Sequence, residues 1–223
     1  MISGIAIALK ETRPALRIIG VEAQAAASAR ASRDAGSIVQ ISQAETLADG
    51  IAVKRVGDLT FPIIERYVDD IVVVGEEEIA AAILVLLERR KTMVEGAGAV
   101  GVAALMNDRI PVRPDERVVA ILSGGNIDIN RISRIIDRGL VFDGRLARLM
   151  VKVPDRPGSL AHLTRIVADE GANVLETYHR RAFADIRMGD VEIVLNMETR
   201  GRDHVEEIIG TLTALGLVVD EDA

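Results

Sequence analysis

Two architectures in series are expected from this chain. Residues 1–142 read as an α/β layer. Residues 146–223 read as an α+β ferredoxin-like unit of order β-α-β-β-α-β. Short continuous apolar runs, each followed by helix-like sequence, fill the first part. Strict alternation of apolar and polar residues replaces them after about Phe142. Apolar runs of this length suit strands buried on both faces of a parallel sheet, whereas alternation suits a sheet with one covered face.

The first part offers three strands, at residues 18–21, 71–74 and 118–122; the last is ended by Ser123-Gly124-Gly125. A helix is expected from Glu76, because Ile79, Ala82, Ile83, Leu86 and Leu87 fall at helical spacing. Glu76, Glu77 and Glu78 in its first turn and Arg89, Arg90 and Lys91 in its last complement the helix dipole. A Gly/Ala-rich helix follows over residues 97–106. Another comes after Asp128, with Ile132, Ile135 and Ile136 on one face. Phe142-Asp143-Gly144-Arg145 reads as a short linker. Beyond it, Ala147, Leu149, Val151 and Val153 alternate with polar or intermediate residues, as in a half-buried strand. The turn Pro154-Asp155-Arg156-Pro157-Gly158 leads to a helix carrying Leu160, Leu163, Ile166 and Val167, with Gly171 as its stop. Residues 173–180 are a less clearly patterned strand, and Val191, Ile193, Leu195 and Met197 mark a firmer one. Asp203 and Glu206 are spaced as a capping box for a helix bearing Val205, Ile208, Ile209, Leu212 and Leu215. Residues 217–219 close the unit as a short strand.

Composition narrows the function classes. Hydrophobic residues make up 49 % of the 223 and aromatics 2 %, so the cores must be built from Ala, Val, Ile and Leu. A net charge of −7 with no basic stripe argues against nucleic acid as a partner. The absence of cysteine excludes disulfides and thiolate metal sites. No run of about 18 apolar residues is present, so no membrane span is expected. With no signal-peptide pattern at the start, the expectation is a soluble cytoplasmic protein.

Four motifs carry a resemblance. Thr46-Leu47-Ala48-Asp49-Gly50-Ile51-Ala52-Val53, Val94-Glu95-Gly96-Ala97-Gly98-Ala99 and Leu122-Ser123-Gly124-Gly125-Asn126-Ile127-Asp128 resemble, in this order, signatures of threonine dehydratases (threonine ammonia-lyases). That family has the tryptophan-synthase-β type, or fold-type II, of pyridoxal-phosphate (PLP) fold. Val153-Pro154-Asp155-Arg156-Pro157-Gly158-Ser159-Leu160, with Gly171-Ala172-Asn173-Val174 after its helix, looks like an ACT domain. The resemblance covers nearly the whole chain.

It implies PLP as cofactor and Ser123 as the hydrogen-bond partner of the ring nitrogen. A neutral hydroxyl there leaves the ring less protonated than a carboxylate would, which suits β-elimination. Gly124, Gly125 and Asn126 let the chain turn closely beside a ligand, or simply make a tight turn. Glu95 is a ring neighbour or the cap of the helix that follows it. Asp49 and Gly50 face the site in the family and otherwise read as a turn pair. The resemblance also places the Schiff-base lysine and the glycine-rich phosphate loop upstream of Met1, with Met1-Ile2-Ser3-Gly4 as the end of that loop. Lys10, Lys54 and Lys91 stand in the wrong contexts to replace the lysine, so no catalytic residue is assigned. Glu22 falls near a divalent-ion site of related enzymes, but Ser28 stands where a second acid is needed, so no metal is expected.

In the tail, Asp155, Gly158, Ser159 and Leu160 would bind an amino-acid effector at a helix N-terminus, with Asn173 on its polar end. His162, His179 and His204 read as solvent-facing. The implied function is a truncated catalytic domain of a threonine ammonia-lyase, converting threonine to 2-oxobutyrate and ammonia. Isoleucine or valine would act on a homo-oligomer joined through the ACT domain. The alternatives are a non-catalytic amino-acid-binding module and a serine/threonine dehydratase-like fragment.

Overall fold

A computed structural model describes residues 1–181 and 187–221. The chain divides into two compact units, Met1–Gly139 and Leu140–Ala223.

The first unit contains α1 (Ile2–Thr12), β1 (Ile19–Ala23), α2 (Ser28–Ala35), α3 (Phe61–Tyr67), β2 (Asp70–Val74), α4 (Glu76–Arg90), α5 (Gly96–Met106) and α6 (Ile129–Phe142), the last running past its end. The expected glycine-loop end is corrected here: Met1 is the N-cap of α1, and Ser3 is already buried within that helix. β1 and β2 pair in parallel, from Ile19 opposite Asp70 to Ala23 opposite Val74. One apolar cluster packs Val74, Ile79, Ile83, Leu86, Ala99 and Ala103; another packs Ala6, Ile18, Phe61, Ile64, Val68 and Ile71. Small side chains dominate the first, as the scarcity of aromatics requires. α4 begins where expected. The Gly75 N–H donates to Glu78 Oε2 at 2.7 Å, closing its first turn.

The expected strand at residues 118–122 is not one. The segment is extended but pairs with no strand among the described residues, and Val119 is 86 % exposed. An apolar run supplies a strand's side chains but not its neighbours, and the two-stranded sheet offers this segment no ladder.

The second unit is β3 (Leu146–Pro154), α7 (Ser159–Asp169), β4 (Asn173–Arg180), β5 (Asp190–Glu198), α8 (Arg202–Ala214) and β6 (Val218–Glu221). The sheet order is β4-β5-β3-β6 with every neighbour antiparallel, which is the ferredoxin-like arrangement. Its core is Leu149, Val151, Ile193, Leu195 and Met197 from the strands, with Leu163, Val167, Ile208 and Leu212 from the helices. Gly171, at φ +86°, ends the α7 region: its N–H donates to Ala168 O at 2.9 Å, as a left-handed cap requires.

The proposed capping box at α8 is corrected. The N-cap is Gly201, two residues earlier than the pattern implied, and no side chain caps the helix. Asp203 therefore lies inside the first turn. The junction is held instead by the Thr199 hydroxyl, which donates to the Gly144 carbonyl, and by His204. His204 is also a correction: it is 3 % exposed, not solvent-facing. Its Nδ1 accepts the Arg200 N–H at 3.0 Å, and Nε2 lies 2.9 Å from the Glu170 carbonyl. With Nδ1 accepting, the proton sits on Nε2 and donates to that carbonyl. His162 and His179 are exposed.

The chain's two tyrosines fall one in each unit. Tyr67 closes α3, with the Arg66 guanidinium 5.1 Å from its ring centre. Tyr178 lies on β4, and its hydroxyl donates to Glu176 Oε2 at 2.8 Å.

Candidate functional site

Three segments of the first unit meet. Glu76, the first residue of α4, turns its carboxylate back to accept the Leu47 N–H at 2.6 Å, fixing the segment that carries Thr46 to Ala52. The Leu47 carbonyl and Ala48 Cα press on Gly96 so closely that a β-carbon there would overlap both. Gly98, one turn into α5, presses equally on the Ser123 carbonyl. Gly124, at φ +82°, faces the Glu95 carboxylate with no room for a β-carbon, and its carbonyl accepts the Glu95 N–H at 3.3 Å. A β-carbon on Gly125 would stand 3.0 Å from the Met93 carbonyl. Glycines are thus required where three backbones touch.

Ser123, Gly124, Gly125 and Glu95 are therefore neighbours. Glu95 occupies the N-cap position of α5, but its carboxylate makes no capping bond and lies against Gly124 instead. Ser123 is half-buried, and its hydroxyl has no hydrogen-bond partner among the described residues. A glycine cradle rimmed by a free hydroxyl suits a flat ligand with one hydrogen-bonding edge. Gly50 adjoins the same place, 3.3 Å from Glu95 Oε1 as measured from its would-be β-carbon. No lysine stands in the converging segments. Lys10 pairs with Asp69 at 2.9 Å, the Lys54 carbonyl accepts the Ile41 N–H, and Lys91 ends α4 in the left-handed region.

Glu22 does not point into this cradle. Its Oε1 and Oε2 accept the N–H groups of Ala29 and Arg30 at 2.9 and 2.8 Å, in the first turn of α2. The hydroxyl of Ser28 is buried without a partner. Burial raises the Glu22 carboxyl above its ordinary value of 4.5, and the two N–H groups offset only part of that. A carboxyl whose folded pKa is raised binds its proton more tightly in the folded state. Its contribution to stability is therefore greatest below the unfolded pKa and falls as pH rises through the folded one. The urea midpoint of the wild-type chain, measured relative to Glu22→Gln, should accordingly decline as pH rises above the ordinary carboxyl value of 4.5. A difference that rises with pH would show that the two N–H groups outweigh burial.

The second unit holds a cleft of about 350 Å³ where β3 turns into α7. Asp155, Gly158, Ser159 and Leu160 line it, as does Arg156. Val191 and Ile193 of β5 are buried and form an apolar floor. Gly158, at φ +94°, is the N-cap of α7. Asn173 does not line the cleft; its Nδ2 donates to Glu198 Oε2 at 2.8 Å. Sequence reasoning missed His179 and Arg181, which line the opposite wall. Arg181 donates from Nε at 2.8 Å and Nη2 at 3.1 Å to the two oxygens of Asp155. This hydrogen-bonded guanidinium holds the Asp155 carboxyl below its usual range. Only the distance between β3 and the end of β4 hid the pair, because no local motif links residues 26 apart.

Comparisons with known proteins match both units. The family described as pyridoxal-phosphate dependent enzyme matches residues 1–124, and the ACT domain family matches residues 147–216. The chain is 49 % identical over 220 residues to an L-threonine ammonia-lyase of Geobacter sulfurreducens, covering 99 % of this chain and 54 % of that protein. It is 48 % identical over 219 residues to one of Thermotoga maritima, covering 98 % and 54 %. The chain thus spans about half the length of these curated relatives. Among solved structures, the processed threonine deaminase isoform 2 of Solanum lycopersicum superposes with a TM-score of 0.56 at 34 % identity, over 61 % of this chain and 40 % of that one. Maize serine racemase does so with a TM-score of 0.55 at 33 % identity, over 63 % and 44 %. No helix among the described residues is long and apolar enough to cross a membrane. The matched residues include the whole glycine cradle as far as Gly124, and the chain belongs to the pyridoxal-phosphate dependent enzyme family, with an ACT domain following that part.

Proposed function

We propose that this chain supplies the ring-facing wall and the regulatory domain of a cytoplasmic, PLP-dependent threonine ammonia-lyase, which converts threonine to 2-oxobutyrate and ammonia. The observation that carries this is the unbroken likeness to L-threonine ammonia-lyases through both units, 220 residues long. Bound PLP supplies an electron sink for bonds at the substrate's α-carbon. Ser123 would offer its free hydroxyl to the ring nitrogen. Gly124 and Gly125 would let the backbone approach the ring, and Glu95 would stand beside it. Serine is the alternative substrate. Isoleucine or valine would occupy the cleft at Asp155 to Leu160, and copies of the chain would join through the ACT domain.

A second reading, a non-catalytic amino-acid-binding module, is favoured by one observation. None of the chain's four lysines lies in the converging segments.

Dialysis of the chain against PLP, paired with an assay for 2-oxobutyrate from threonine and pyruvate from serine, tests both readings. The expected result is PLP uptake that Ser123→Ala weakens by about tenfold, the worth of one hydrogen bond, with no keto acid from this chain alone. Uptake indifferent to Ser123→Ala would remove the ring contact. Sustained 2-oxobutyrate would mean that a group inside this chain does the lysine's work. No PLP uptake alongside calorimetric binding of valine would put the second reading in place of the first.

A further inference from the structure

The cleft of the second unit is lined by opposite charges that belong to the protein itself and pair with each other. Asp155 leaves the end of β3, and its side chain is 36 % exposed. Arg181 follows the end of β4, and its side chain is 62 % exposed. The two form a bidentate pair, with His179 beside them and the apolar floor of Val191 and Ile193 below. The volume of about 350 Å³ lies at the small end of ligand sites.

We propose that the Asp155–Arg181 ion pair is the resting state of this cleft and is exchanged for the two charges of an α-amino acid. The ligand carboxylate takes the Arg181 fork, its ammonium takes the Asp155 carboxylate, and its aliphatic side chain covers Val191, Ile193 and Leu160. The inference rests on the amino-acid reading of the cleft and adds how that cleft opens and what it selects.

Three features support the exchange. The guanidinium presents a planar fork that fits any carboxylate, whether Asp155 or a ligand. An ion pair this exposed is weakly held, so opening it costs little. A zwitterion restores both charge contacts at once, whereas a ligand with a single charge leaves Asp155 or Arg181 without its counter-charge. The Asp155 backbone need not move, because its N–H is held by the Gly189 carbonyl at 2.9 Å, so the swap is confined to side chains.

Calorimetric titration of the full 223-residue chain with three probes sharing one side chain tests this: L-valine, isovalerate, which lacks the ammonium, and isobutylamine, which lacks the carboxylate. The wild-type chain should bind valine and take the other two at least about tenfold more weakly. Asp155→Asn frees the Arg181 fork. It should therefore weaken valine by about tenfold and strengthen isovalerate by a similar factor. Arg181→Gln should weaken valine and favour isobutylamine. Opposite movement of the two probes is something a merely structural role cannot give, and unchanged melting curves for the variants exclude misfolding. Valine binding that ignores both substitutions, or a fall in all probes together, would overturn the exchange while leaving an amino-acid cleft in place. A wild-type chain that binds neither valine nor isoleucine would overturn the amino-acid reading itself.

Discussion

Gly98→Ala should destabilise the chain by about 3 kcal/mol in urea unfolding, the range of overpacked cores. A new β-carbon would overlap the Ser123 carbonyl and stand 2.7 Å from Val94 Cγ1. Neither neighbour gives way cheaply: one is backbone, and the other is a 2 % exposed valine in the core. Relief must come from moving the segment that carries Ser123 and Gly124. The variant should therefore lose PLP uptake beyond what its lost stability explains. Gly101→Ala is the matched control. It lies on the same helix, and its nearest neighbour would be the Ala120 side chain at 3.9 Å. There alanine meets ordinary van der Waals contact and gains about 0.5–1 kcal/mol from helix propensity. Two glycines three residues apart should thus respond with opposite signs. If both variants are stabilised, the close approach of α5 to Ser123 is wrong.

His204→Ala should cost about 2–5 kcal/mol. The ring is buried, and both its nitrogens serve backbone groups, the Arg200 N–H and the Glu170 carbonyl. Removing it takes the acceptor from the part-buried Arg200 N–H and one donor from the Glu170 carbonyl, which keeps only Arg200 Nη1 at 3.4 Å, and each lost bond costs about 1–3 kcal/mol. It also opens a small cavity between α7 and α8. His162→Ala, on the exposed face of α7, should change stability by less than about 0.5 kcal/mol. Chemical denaturation of the two variants under identical conditions decides the matter. Near-equal midpoints would mean that His204 is not the bridge between the α7 end and the α8 start.

How far the sequence could be read follows from how local each signal was. α4, with its acidic first turn and basic last turn, was legible because dipole, periodicity and length all agree within 15 residues. The alternation of β3 and β5 was equally plain, and the two strands pair over their full nine residues. The segment at residues 118–122 was misread because an apolar run fixes what a strand buries but not whether a partner exists. Asp203 and Glu206 failed as a box because the helix starts two residues earlier than their spacing implied, with Gly201 as its cap. His204 was invisible because its two partners are backbone atoms, which leave no trace in composition. Arg181 was missed for a related reason: its partner lies 26 residues away, and nothing near it forms a motif. Glu76 was read only as a dipole complement, whereas its carboxylate also holds the Leu47 segment against Gly96. The cradle glycines, by contrast, were legible as a set, though only the structure says which backbone each one touches.

The placement of the tyrosines has an optical consequence. With no tryptophan in the chain and one tyrosine in each unit, intrinsic emission comes from Tyr67 for the first unit and Tyr178 for the second. Tyr178 donates to a carboxylate and Tyr67 has a guanidinium near its ring, so their quantum yields differ in the native state. A Tyr67→Phe or Tyr178→Phe variant leaves a single emitter, and the melting of each unit can then be followed alone. Two coincident curves would show one cooperative transition, and two separated curves would give each unit its own stability. The same dark background means that light absorbed by a bound cofactor would be read almost without interference.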